Sequence, residues 1–286
     1  MSQLPLFSSS FRWCGSRQRR VFQWRQRRKC NQTVVVGASG ASSSSSSEEE
    51  KDEEAKRLVF NPAAIYNEIF CDDVTFSKDV SRKIAKEVTE LHPETYKHPE
   101  DSFYGEIDVN SMLELIDLGT DGKNLDGGLR YVDLGCGVGK QVATAALSGK
   151  FAKADGVEIC PDLAAKAIEG IARLREKLEK YSDSSHACEI SVSQGDVFDQ
   201  DLSQFDFIFV HATTFHDTTV GMLKAKLSRE MKVGARLAIV SKLCDDIVNF
   251  EPLQSIPGGI GWKPISQVDE KWQLDCYLYE KTKELD

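Results

Sequence analysis

A glycine-rich turn, Asp133-Leu134-Gly135-Cys136-Gly137-Val138-Gly139, constrains this chain more than any other feature. Leu129 to Leu134 reads as a buried strand leading into it, and the helix that follows carries Val142, Ala145 and Ala146. A strand that ends in glycines and feeds a helix is where backbone approaches a ligand closely, because no Cβ intervenes.

The alternation continues downstream. Ala154 to Ile159 reads as a second strand, and Pro161 opens a helix with the stripe Leu163, Ala167, Ile171, Leu174 and Leu178. Glu189 to Ser193 and Phe205 to Val210 read as the third and fourth strands. A helix capped by Asp217 or Thr218 follows, with Val220, Leu223 and Leu227 apolar and Gly234 beyond its end, and Arg236 to Val240 makes a fifth strand. The strand-like stretches near Ile260 to Val268 and Trp272 to Tyr279 lack an intervening helix and suit a closing hairpin. The expected fold is α/β: a seven-stranded, mostly parallel Rossmann-like sheet with helices on both faces and a C-terminal antiparallel hairpin. The core spans 129–286, behind a helical lead-in at 58–128 in which Val80, Ile84, Val88 and Leu91 share one helical face.

Three ligand classes compete for the turn. A P-loop needs a Ser or Thr after its Gly-Lys, but Gly139-Lys140 is followed by Gln141, and Leu134 stands at the first glycine position. A dinucleotide site wants GxGxxG and places a pyrophosphate at the helix start. The pattern here is DxGxGxG, and Asp133 beside Gly135, Gly137 and Gly139 suits a cationic group such as the ammonium of a methionine tail while repelling a pyrophosphate. That favours S-adenosylmethionine over a nicotinamide dinucleotide. Two further acids follow at strand ends: Glu158, placed to accept both ribose hydroxyls, and Asp196, placed with Val197 and Phe198 around an adenine. Cys136, inside the turn, is redox-sensitive only if the helix start lowers its pKa; otherwise it is a small residue tolerated there.

Composition divides the chain in two. Residues 1–47 hold eight basic residues (Arg12, Arg17, Arg19, Arg20, Arg25, Arg27, Arg28 and Lys29) and no acid, and end in Ser42 to Ser47. Arg-rich, Ser-rich and acid-free is the signature of an organellar transit peptide, here one for the chloroplast stroma, with the mitochondrial matrix as alternative. A basic arm that binds nucleic acid or membrane is the other option. Residues 48–57 are a charged linker. With 36 basic and 45 acidic residues in all, the part after the leader has 28 against 45, or −17. No stretch approaches a membrane span of about 18 apolar residues. The eight cysteines, never spaced as CxxC or beside His at zinc-ligand spacing, read as free or buried thiols, and no metal is expected.

These motifs resemble class I S-adenosylmethionine-dependent methyltransferases over most of 129–280. Upstream, Tyr96-Lys97-His98-Pro99 and Phe103-Tyr104-Gly105-Glu106-Ile107, then a helix into Tyr131-Val132-Asp133-Leu134-Gly135, resemble the disruptor-of-telomeric-silencing family of non-SET histone lysine methyltransferases. Val210 to Phe215, Gly221, Leu223, Met231 to Gly234 and Ser241-Lys242 follow its order too. The resemblance implies that Tyr104, Gly105 and Glu106 form a loop over the cofactor. Where that family has Asn-Asn-Phe beside the reactive methyl, this chain has His211-Ala212-Thr213-Thr214-Phe215, and it lacks a basic tail for DNA.

The fourth strand's end faces the chemistry in such a fold. His211 is therefore the first candidate for a base or orienting group, with Thr213 and Thr214 as hydrogen-bonding neighbours, Tyr104 excluding water from the lid side, and His216 a weaker candidate. The expected activity is methyl transfer to a protein lysine or a small molecule by a monomer. A charge of −17 disfavours bare nucleic acid or a nucleosome as partner. The acceptor surface is expected from the lead-in and from a loop at Leu253 to Trp262, where Pro257-Gly258-Gly259 suggests a bend or flap. The alternative is a protein that binds S-adenosylmethionine without catalysis, as a sensor or assembly factor.

Overall fold

The computed structural model describes residues 61–92, 105–123, 125, 128–180, 188–262 and 272–285. The leader, the charged linker, Tyr96 to Pro99 and Tyr104 lie outside the described residues.

The sheet is built from β1 (Leu129–Leu134), β2 (Phe151–Glu158), β3 (Glu189–Gln194), β4 (Phe207–Val210), β5 (Arg236–Val240), β6 (Phe250–Trp262) and β7 (Trp272–Lys281). Their order is β3-β2-β1-β4-β5-β7-β6, and β7 runs antiparallel to both of its neighbours while the first five pair in parallel. This is the expected seven-stranded, mostly parallel sheet. Parallel strands covered on both faces read as near-continuous apolar runs, as in β1 and β4. On one face, Tyr131, Phe151 and Phe207 bring their rings within 5.2 to 5.9 Å of one another. On the other, Val132 and Leu134 pack with Phe205, Leu223 and Leu227.

The helices are α1 (Pro62–Phe70), α2 (Lys78–Leu91), α3 (Val109–Thr120), α4 (Lys140–Leu147), α5 (Pro161–Leu178) and α6 (Asp217–Glu230), with a 3-10 turn at Val74–Phe76. Asn61 caps α1, accepting from the Ala64 N–H, and Pro62 occupies its first turn. The lead-in is fastened to α5: a Cβ on Gly170 would fall 2.7 Å from Phe70 Cε1, Arg173 reaches Asp73 at 2.7 Å, and Lys177 pairs with Glu68. Gly119 of α3 sits so close to the sheet that a Cβ there would fall 1.9 Å from Phe207 Cε2.

Several boundaries differ from the expected ones. Strand β2 begins three residues early, because Phe151 pairs with Leu129 although Ala152 and Lys153 interrupt the apolar run. Strand β4 starts at Phe207, since Asp206 accepts from the Arg130 N–H before the ladder begins. Helix α2 buries Ser81, Ala85, Val88 and Thr89, while Leu91 is 72% exposed, so its packed face is rotated from the apolar stripe. Small side chains permit that closer contact, and the hydroxyl of Thr89 is satisfied by the Ala85 carbonyl. The cap of α6 is His216, whose Nδ1 accepts from the Thr218 N–H at 3.2 Å, rather than Asp217 or Thr218. Leu253 to Trp262 is not a loop but part of β6, and its pairing with β7 shifts between Ile256 and Ile260, so Pro257-Gly258-Gly259 forms an irregularity in the ladder. Ladder hydrogen bonds to β7 extend β6 ten residues ahead of the expected start.

Candidate active site

The glycine turn lies between β1 and α4 at the carboxyl edge of the sheet, where open α/β sheets bind ligands. Gly135 and Cys136 both donate to the Val157 carbonyl, tying the turn to β2. Gly137 and Gly139 have φ of 54° and 81°, and a Cβ on Gly139 would approach that of Ala167 on α5 to 3.2 Å. Glycine is required at both positions by backbone angle, and at Gly139 by space as well.

Two carboxylates are buried beneath this turn. Glu158, 7% exposed at the end of β2, accepts from the Gly137 N–H at 2.8 Å and from the Cys160 N–H at 2.9 Å. Each of its oxygens keeps a lone pair. Asp133, 2% exposed, has an Oδ1 with no hydrogen-bond partner. Burial, then repulsion from Glu158, pushes Asp133 well above the usual carboxylate range. Burial raises Glu158 too, against the lowering effect of its backbone donors. A buried, unpartnered acceptor beneath a turn in which Gly135 is exposed calls for a donor with positive charge. The pair therefore fits S-adenosylmethionine, with Asp133 toward an ammonium and Glu158 toward vicinal hydroxyls. The Cys136 thiol is driven well above its ordinary pKa by burial, which removes the redox-sensitive option.

Asp196 lies two residues beyond β3 and accepts from the Phe198 N–H at 2.9 Å, closing a local turn with one of its oxygens. Val197 and Phe198 are half-buried against the core. From the lid side, Glu106 pairs with Lys140 at 2.8 Å, the two side chains being 18% and 10% exposed, and the Ile107 carbonyl accepts from Gln141 Nε2. Glu106 and Ile107 are thus anchored to the first turn of α4, and Glu106 reaches a lysine.

At the end of β4, the loop from His211 to His216 arches toward the turn: Phe215 Cζ lies 3.8 Å from where a Gly135 Cβ would stand. His211 Nε2 is buried without a partner, and burial, with a minor contribution from the Lys78 charge, lowers its pKa to about 4. Thr213 Oγ1 lies 3.0 Å from Ser241 Oγ at the end of β5. Ser241, to which sequence reasoning assigned no role, adopts φ 66°. The resemblance picks out Ser241-Lys242 by order alone, and residue type does not reveal the conformation, since serine carries no preference for it.

The model of the family described as histone methylation protein DOT1 matches residues 80–255. The chain belongs to this family. The description of that family as a methylation protein agrees with the motifs. A protein-lysine N-methyltransferase from Saccharolobus islandicus is 35% identical over 106 residues, covering 37% of this chain and 57% of that protein. The chain thus spans little more than half of that relative. Solved structures similar to this chain include an RNA methyltransferase from Salinibacter ruber in complex with S-adenosyl-L-homocysteine (TM-score 0.42, 19% identity, 62% of this chain and 92% of that one). A putative RNA methyltransferase from Pyrococcus horikoshii is similar at TM-score 0.42 and 15% identity, over 61% of this chain and 83% of that one. Both are distant, and the fold rests on the strand order itself.

Proposed function

We propose that this protein methylates the side-chain amine of a lysine in a basic protein. The observation that carries this is His211: a neutral imidazole whose Nε2, buried and unpartnered, stands at the strand end beside the glycine turn. An orphan acceptor in that position is completed by an N–H donor. The chemistry supplied by S-adenosylmethionine when bound is an electrophilic methyl: the amine's lone pair forms the N–C bond, the S–C bond breaks with its electrons staying on sulfur, and the methylammonium loses a proton to water. With its pKa near 4, His211 orients the amine rather than carrying its proton. Asp133, Gly135, Gly137, Gly139 and Glu158 would hold the cofactor, Asp196 and Val197 would border its adenine, and Gly105 and Glu106 would lie on the loop beside it. Alignment is the main demand of such a displacement.

The charge of −17 beyond the leader favours a Lys-rich acceptor and opposes phosphate-rich ones. The relative's printed name, protein-lysine N-methyltransferase, points the same way. Residues 1–47 act in this reading as an address for the chloroplast stroma, and fusing them to a fluorescent protein tests that. The activity is tested by adding purified protein and S-adenosylmethionine to desalted organelle extract and mapping new methyl groups by mass spectrometry. Methyl groups on lysines of basic proteins are the expected result. Methyl groups only on small molecules overturn the lysine assignment, and tight cofactor binding with no transfer identifies a non-catalytic binding protein.

A further inference from the structure

Histidine is an unusual residue with which to begin a helix, a position where Ser, Thr, Asp and Asn prevail. In α6 it does so: His216 Nδ1 accepts from the Thr218 N–H at 3.2 Å, and the His216 carbonyl accepts from the Val220 N–H at 2.9 Å. The oxygen of a serine or asparagine cap accepts at any pH. An imidazole nitrogen accepts only while it keeps its lone pair, so the proton of this neutral ring belongs on Nε2. A second proton would turn Nδ1 into a donor facing a donor. It would also set a positive charge at the end of the helix where the dipole is already positive. The cap is therefore present at high pH and lost as the ring gains its proton, which imidazoles do between about pH 5 and 8.

What precedes the cap gives it a consequence. Phe215 stands directly before His216, and its Cζ lies 3.8 Å from where a Gly135 Cβ would be, against the glycine turn. The loop is also fastened elsewhere: the Phe215 N–H donates to the Ala212 carbonyl at 3.1 Å, and Thr213 Oγ1 lies 3.0 Å from Ser241 Oγ. Those two contacts join groups that carry no charge, whereas the cap changes with protonation. Asp217, next in the helix, pairs at 3.2 Å with Lys242 of the segment beyond β5, so their charges offset each other at the helix start. His211, at the head of the loop, has its pKa lowered to about 4 and stays neutral over the imidazole range. Val220, Leu223 and Leu227 are buried and hold the rest of α6 in the core, which confines the effect of the cap to the first turn.

We propose that His216 is a proton-sensitive latch on the cofactor site: as a neutral ring it caps α6 and keeps Phe215 against the glycine turn, and on protonation it frees the first turn of the helix and that contact with it. The inference rests on the glycine turn as the S-adenosylmethionine site and makes no assumption about the methyl acceptor. Its effect falls on affinity, because saturating cofactor draws the loop back to its ordered position and leaves the rate unchanged.

The test measures S-adenosylhomocysteine affinity by calorimetry on the full chain, at both ends of the imidazole range, for the wild type, His216→Asn and His216→Ala. The asparagine supplies a cap oxygen that does not titrate, and the alanine supplies none. The wild type is expected to match His216→Asn at the alkaline end and to bind about 3-fold or more weakly than it at the acid end. His216→Ala should be weaker than His216→Asn by a similar factor at both ends. Comparing proteins at the same pH cancels the titration of every other group. Amide hydrogen exchange in the first turn of α6, without ligand, should likewise be faster in the wild type than in His216→Asn at the acid end alone. A ratio of wild-type to His216→Asn affinity that is the same at both ends overturns the inference and leaves the cofactor site intact. No binding by the wild type at either pH overturns both.

Discussion

In the proposed reading Glu158 performs two tasks with one carboxylate, and Glu158→Gln separates them. In the cofactor-free protein its two oxygens receive Gly137 N–H at 2.8 Å and Cys160 N–H at 2.9 Å. A glutamine keeps one oxygen, and its amide nitrogen must face the other N–H, so one buried charge-assisted bond of about 1.5 to 3 kcal/mol is lost. Against this, a buried negative charge is removed from beside Asp133, an effect of the same order. The two offset, and the net change in folding stability should stay within about 1 kcal/mol. The cofactor has no such compensation. Losing one ribose acceptor should weaken binding by about 1.4 to 2.8 kcal/mol, or roughly 10- to 100-fold. Calorimetry with S-adenosylhomocysteine and its 2′-deoxy analogue closes a double-mutant cycle. The wild type should discriminate between the two ligands, and Glu158→Gln should lose most of that discrimination. Equal weakening of both would show that Glu158 acts only by shaping the turn, and unchanged affinity for both would remove it from the site.

Five further outcomes follow from the geometry. Asp133 faces Glu158, Tyr131 and Cys136, and its folded pKa is raised, so its contribution to stability is complete below the ordinary carboxylate pKa and is lost as pH rises through the folded value. Asp133→Asn should therefore stabilise the cofactor-free protein near neutral pH in urea titrations and flatten its pH dependence, while weakening cofactor binding about 10-fold or more. His211 is neutral above about pH 4, so the rate should rise with deprotonation of the acceptor amine and show no inflection near the ordinary histidine pKa of about 6.5. His211→Ala should lower kcat on the order of 10-fold without changing cofactor affinity, as read by steady-state kinetics and calorimetry. Lys140→Met leaves Glu106 without this partner and should speed cofactor release in stopped-flow measurements. Gly119→Ala drives a methyl group into Phe207 and should cost about 1 to 3 kcal/mol in thermal unfolding.

The glycine turn and the strands around it were legible because each demands a local residue type: glycine where φ is positive, apolar runs where both sheet faces are covered, and proline at the start of α5. The packed face of α2 was not legible. Its apolar stripe pointed to Leu91, but the surface it docks against takes the smaller Ser81, Ala85 and Thr89. The start of β6 was hidden for a similar reason, since its ladder to β7 is made by backbone groups that leave no mark on residue type.

What the sequence determined by itself is the glycine-turn end of the protein: Asp133, the three glycines and Glu158 occur in an order that ties a strand-end carboxylate pair to a helix start. What only tertiary structure decided is the state and company of those groups. That Asp133 is unpartnered, that Glu158 holds Gly137, that Glu106 is paired with Lys140, and that Ser241 meets Thr213 all depend on contacts between strands and loops far apart in the chain. Residue type specifies what a side chain is able to do, whereas burial and neighbouring charges, which arise only on folding, set its protonation state and what it faces.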